Sequence, residues 1–178
     1  MRIQFELGKE DLVAYNLYHH SHSPTTRGQK RKGSVNIVLL GLMFWVGPVI
    51  LAGPSKEHAL ALSPFLLIIP LGLAIFAWRW PVMLRRNIER MISEGENRGL
   101  VGKKEVTITP VEITAAGDLT SVTVRWKAVE RIEVAQDCAY LYFSALGAFI
   151  VPRRAFSSDA GFAAWVETAR KYRADALR

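Results

Sequence analysis

Two long runs without a charged side chain, Val35–Ala52 and Ala59–Ala77, constrain this chain more than any other feature. Each approaches the roughly 20 apolar residues that a bilayer crossing needs. Each holds enough Leu, Ile, Phe and Val to favour insertion by about 3 to 6 kcal/mol, which outweighs the lone Asn36. The connection Gly53–His58 is short enough to demand a tight turn, so Ser34 to Trp80 reads as two spanning helices folded back on one another. The competing reading is a buried helical hairpin of a soluble protein, but such helices rarely lack charge on every face.

Charge sets the orientation. Arg27, Lys30, Arg31 and Lys32 precede the first run and Arg79, Arg85, Arg86 and Arg90 follow the second, while the turn offers Lys56. The positive-inside bias therefore puts both ends of the chain in the cytoplasm. Glu6, Glu10 and Asp11, with no apolar stretch around them, argue against a signal peptide, so the first run is expected to remain as an anchor. The net charge of +7 raises the question of nucleic acid. Most of that excess flanks the membrane, where topology and anionic headgroups account for it, and no nucleic-acid partner is expected. Arg27, Lys30, Arg31 and Lys32 are candidate lipid or partner contacts, although the topology rule alone already requires cations there. The single cysteine, Cys138, excludes an internal disulfide and suits a reducing compartment.

Four segments follow. Residues 1–33 form a cytoplasmic lead. Arg2–Leu7 alternates as a strand and is expected to join a sheet made by the C-terminal part. A short helix covers Asp11–His20, and the basic stretch Ser21–Gly33, broken by Pro24 and Gly28, is expected to be a flexible linker. Residues 34–80 are the hairpin, with kinks expected at Pro48, Pro64 and Pro70. Gly41, Gly47, Gly72, Ala74 and Ala77 permit close approach within the chain or between copies, which leaves a homo-oligomer open. In residues 81–102, Pro81 suits the first turn of a helix reaching about Glu94, with Leu84, Ile88, Met91 and Ile92 as its apolar stripe. Either the membrane interface or the cytoplasmic sheet supplies the cover, the sheet being favoured, and Gly95–Gly102 makes a loop. Residues 103–178 hold short alternating strands around Val106 to Ile113, Val122 to Trp126, Ile132 to Ala135, Ala139 to Phe143 and Ala148 to Val151. They close with a helix whose stripe is Phe162, Trp165, Val166, Ala169 and Tyr172.

Two stretches carry structural motifs. Trp126, Val129 and Ile132 stand three apart, so a strand ending at Trp126 and one helical turn would return all three to one core. Pro152 stops a strand, leaving Arg153 and Arg154 in solvent as further candidate lipid or partner contacts while Phe156 tucks inward. These stretches, Val124–Ile132 and Phe149–Phe156, together with Glu10–Asn16 and the uncharged pair of runs, resemble the YcxB-like family of bacterial membrane proteins. The chain has Val129 for the middle Ile of a Trp-x-x-Ile-x-x-Ile pattern, and Val151 and Arg153 for Ile and Lys of an Ile-Pro-Lys-Arg-Ala-Phe pattern. The resemblance implies an α+β membrane protein of the bacterial inner membrane, a two-helix transmembrane hairpin plus a small PH-like antiparallel β-domain with a C-terminal helix. It implies no reaction.

The residues themselves offer little catalysis. His19, His20 and His22 cluster without further ligands at a metal spacing, Cys138 has no histidine in its half of the chain, and no phosphate loop or nucleophile motif occurs. No enzyme activity, cofactor or metal is expected. The reading reached is a membrane-anchored interaction module that presents its cytoplasmic domain to membrane lipids and a protein partner. The alternative is a small accessory or oligomeric component of a transport or channel assembly, which Pro-bent spans would suit.

Overall fold

A computed structural model describes residues 1–51, 55, 57, 60 and 63–178. Most of the expected tight turn Gly53–His58 lies outside the described residues, as do parts of the second run before Ser63. The described elements run β1 (Arg2–Leu7), α1 (Lys9–His22), α2 (Pro24–Leu51), a 3-10 turn (Ser63–Leu67) and α3 (Ile68–Ser93). Then come β2 (Gly102–Ile108), β3 (Glu112–Gly117), β4 (Ser121–Arg125), β5 (Arg131–Val134), β6 (Cys138–Tyr142), β7 (Ala148–Pro152) and α4 (Asp159–Ala176). They form two compact units, one of residues 1–15 and 92–178 and the other of residues 16–91.

The first unit is built on two antiparallel sheets, ordered β1-β2-β3-β4 and β5-β6-β7. Strand β1 pairs along its whole length with β2, from Arg2 opposite Thr107 to Leu7 opposite Gly102, so the alternating N-terminal strand does join the C-terminal sheet. Val106, Ile108, Ile113, Trp126, Val129, Ala139, Leu141, Val151 and, from α4, Phe162, Trp165, Val166 and Ala169 make the core. The motif residues fall as the spacing predicts: a 3-10 turn at Trp126–Ala128 returns Val129 to the core and Ile132 packs against it. The Trp126 indole N–H donates to the Thr109 carbonyl at 2.7 Å. Arg173 of α4 donates from Nε to the Val129 carbonyl at 2.7 Å and also reaches Glu130 O. Ser158 caps α4 by accepting from the Gly161 amide at 3.1 Å.

Strand β6 is buried on both faces. Ala139 and Leu141 point into the core, while Tyr140 and Tyr142 meet Tyr15 of α1, with ring centroids 5.4 and 6.0 Å apart. A strand covered on both sides needs no polar alternation, which explains the run Cys-Ala-Tyr-Leu-Tyr. Two alternating positions depart from the expected inward pattern: Val111 lies in the β2–β3 turn and Val122 on the edge strand β4, and both are exposed.

In the second unit the basic stretch after Ser21 is not a flexible linker. Ser23 accepts the first intrahelical bond, from the Arg27 amide at 3.2 Å, which makes Pro24 the first helical residue, a position where its missing donor costs nothing. From there α2 continues without interruption into the uncharged run, and the roughly 1 kcal/mol that Gly28 costs a helix is carried by the long element around it. Pro81 likewise does not begin a new helix. It sits inside α3, which runs unbroken from Ile68 to Ser93, so the segment expected to connect span and domain is the same helix. Pro70 falls in the first turn of α3 and Pro64 in the 3-10 turn before it. Of the expected stripe, Ile88 and Ile92 are buried and Leu84 partly so, but Met91 is exposed.

Helices α2 and α3 interlock through small residues. A methyl group added at Gly33 would stand 2.6 Å from the Phe76 ring, one at Gly41 2.3 Å from Ile69, and one at Gly72 3.0 Å from Ile37. Large and small residues thus alternate along each helix and oppose one another, the close-approach packing that lets helices associate without a hydrophobic driving force. The pairs descend on α3 as they ascend on α2, so the helices are antiparallel.

The two core tryptophans should respond differently to truncation. Trp126→Phe leaves the Thr109 carbonyl without its donor, whereas the Trp165 indole N–H is buried with no partner among the described residues, so its removal gives back part of the lost packing. Denaturant unfolding should therefore show Trp126→Phe to be the more destabilising by about 1–2 kcal/mol; equal losses would contradict this assignment.

Candidate functional site

The candidate residues divide between two places. Arg27, Lys30, Arg31 and Lys32 lie on the first turns of α2, all exposed and without an ion-pair partner among the described residues. On α3, Arg79 is exposed and Arg85 is bonded to Glu89 at 2.6 Å. Because Gly33 lies against Phe76 in an antiparallel pair, the basic turns of α2 flank the Arg79 region of α3, and the cations of both helices gather at one end. Trp78 is 75% exposed at that end, and Trp80 stacks near Phe76 at 5.2 Å. Away from it, large apolar side chains point outward on both helices, including Leu39, Leu40, Met43 and Phe44 of α2 and Leu71 and Ile75 of α3. The expected histidine cluster is turned to local bonds: His20 Nδ1 meets Thr26 Oγ1 at 3.2 Å, and His22 Nδ1 meets the Tyr18 carbonyl at 2.9 Å. Among the described residues no group of three metal-ligating side chains converges.

Arg153 and Arg154 are the second place: Arg154 is exposed and Arg153 partly so, as expected, and each also has intrachain partners. Pro152 ends β7 as expected and a 3-10 turn follows, with Phe156 packed on Phe162 and Trp165 at 5.4 and 5.9 Å. Arg153 donates from Nε to the Gln136 carbonyl at 2.9 Å, pairs with Asp159 at 3.0 Å and lies 4.6 Å over the Phe162 ring. Arg154 makes a two-pronged pair with Asp11 of α1, at 2.7 Å to Oδ1 and 2.6 Å to Oδ2, and donates to the Glu6 carbonyl at 3.0 Å. Asp11 also accepts from the Gly8 amide at 2.7 Å.

Asp11 is 7% exposed. Burial pushes its carboxyl upward, but the Arg154 hydrogen bonds, the Gly8 amide and the Arg154 charge outweigh that and hold it below the usual carboxylate range. The partner of Asp11, 143 positions away, carries no local signal in the sequence. Nearby, burial first and then the neighbouring Tyr142 push the Tyr15 hydroxyl up to about 12, and it donates to the Leu146 carbonyl at 2.9 Å. Burial also raises the Cys138 thiol, which opposes any role as a nucleophile.

Residues 109–169 match the family described as YcxB-like protein. This region contains both motif stretches, from Trp126 to Ile132 and from Phe149 to Phe156. No curated protein and no solved structure is similar enough to match.

Removing one partner of the Asp11–Arg154 pair should cost more than an exposed ion pair does. For Arg154→Ala, which strands a buried carboxylate, the loss should be on the order of 2–3 kcal/mol, read by thermal or denaturant unfolding. Because the folded carboxyl is depressed, its contribution is complete above about pH 5 and fades as pH falls through the ordinary carboxylate value near 4 and below. The stability gap between the unsubstituted chain and Asp11→Asn should therefore close on acidification; a gap independent of pH would refute the pairing.

Proposed function

Starting from the match of residues 109–169 to the YcxB-like family, we propose that the chain is a non-enzymatic, membrane-anchored interaction module. Both α2 and α3 cross the inner membrane of a bacterium, and the unit of residues 1–15 and 92–178 is a PH-like domain on the cytoplasmic side. One helix among the described residues, Ile68–Ser93, is long and apolar enough to cross a membrane. Support for the second crossing comes from Ser34–Leu51, uncharged and studded with exposed Leu, Met and Phe, which as a helix extends about 27 Å against a hydrocarbon core of roughly 30 Å. Four strands, three strands and a C-terminal helix, in that order, support the PH-like reading. In a domain of this kind the free edge β4, with Val122 exposed, is the place for a protein partner to add a strand.

The observation that carries the reading is the change of surface along the helix pair. Exposed apolar side chains cover one length of both helices, and exposed cations with Trp78 occupy the other. In water such a surface would aggregate, whereas in a bilayer it matches hydrocarbon, headgroup and cytoplasm in turn. Neither Ser34–Leu51 nor Ser63–Trp78 contains a charged side chain, so the transport-assembly alternative lacks ionisable groups on which to build a path.

Two measurements test this. The full chain should stay with membranes through an alkaline carbonate wash. In intact cells, a Ser55→Cys variant should react with an impermeant maleimide from outside, while Leu119→Cys should react only after permeabilisation. Release by the wash, or outside labelling of Leu119→Cys, would overturn the topology. Substituting Gly41→Leu, which drives a large side chain into Ile69, should part the helices and lower the yield of membrane-inserted protein.

A further inference from the structure

We propose that the helix pair holds an anionic phospholipid where Lys30 of α2 and Arg79 of α3 border the uncharged layer. The proposal rests on the reading of the pair as a membrane hairpin and adds a ligand to it. The contacts of Gly33 with Phe76, Ile37 with Gly72 and Gly41 with Ile69 fix the register of the two helices. Continuing that register by one turn brings Lys30 level with Arg79 on the neighbouring helix. Both are exposed, and neither has an ion-pair partner among the described residues. Glu89, the acid nearest along α3, is bonded to Arg85.

Helices close enough for a glycine to be needed at the contact bring these like charges within about a Debye length, where salt does not fully screen their repulsion. A phosphate diester lying between them replaces that repulsion with two attractions. Its acyl chains would run along outward-facing Leu40 and Ile75, toward the uncharged end. Trp78, exposed, and Trp80, against Phe76, supply rings of the kind that sit at headgroup depth beside a phosphate. Topology requires an excess of cations near the ends of the spans, but it does not require them opposite each other on two helices at one level.

Native mass spectrometry of the full chain released from detergent micelles, with phosphatidylglycerol or phosphatidylcholine added in steps, tests the proposal. Phosphatidylglycerol should be retained with about 10-fold preference, and the preference should fall at least about fivefold in Lys30→Gln/Arg79→Gln. It should persist in Lys30→Arg, which keeps the charge, and in Lys103→Gln/Lys127→Gln, which removes cations from the domain. Equal retention of the two lipids, or a preference that survives the Lys30 and Arg79 substitutions, overturns the site. Displacement of the lipid by millimolar inorganic phosphate overturns the assignment to a lipid and points to free phosphate. A chain that resists the carbonate wash yet shows no lipid preference removes this inference alone, whereas release by the wash removes the hairpin reading beneath it.

Discussion

The domain closes around a pairing between residues that stand far apart in the chain. Strand β1 can be completed only by β2, and α1 is fixed to the end of β7 by Asp11 and Arg154. Without β1 the four-stranded sheet would expose the backbone of β2 as a raw edge, and without α1 the outer face of β6 would present Tyr140 and Tyr142 to water. The Asp11 carboxylate needs its guanidinium for the same reason that any buried charge needs a partner: desolvation is unfavourable and only directed hydrogen bonds offset it.

The helix pair obeys a different logic. Its surface is apolar where a core would be expected inside, so the glycines at positions 33, 41 and 72 do what hydrophobic burial does elsewhere. They let Phe76, Ile69 and Ile37 fit closely enough for dispersion forces to hold two helices together. Charge then divides the pair along its length, with the first turns of α2 and the Arg79 region of α3 carrying the cations.

Much of this was legible in the residues. The strands of the domain, the turn at Trp126 to Val129, the stop at Pro152 and the stripe of α4 all follow from period and from Gly, Pro and Trp placement. Two local rules misled. Pro24 and Gly28 read as breakers, yet a proline at the first helical position is compatible with α2; Pro81 reads as a start, yet the helix around it is long enough to absorb one lost bond. What the sequence could not disclose was long-range pairing. Arg154 looked like a free cation because its partner Asp11 lies 143 positions away, and the two-sided burial of β6 became evident only once α1 lay across it.

The separation of β1 from β2 has a consequence for how the protein is made. During synthesis the first strand leaves the ribosome long before its mate and must wait, unpaired, while the long apolar middle of the chain is made. An antiparallel helix pair returns the chain close to where it left, so forming that pair first shortens the loop that the sheet must close. The helix pair thereby acts as a clasp for a sheet to which it contributes no strand, and a chain that failed to form it would be left with an orphaned first strand.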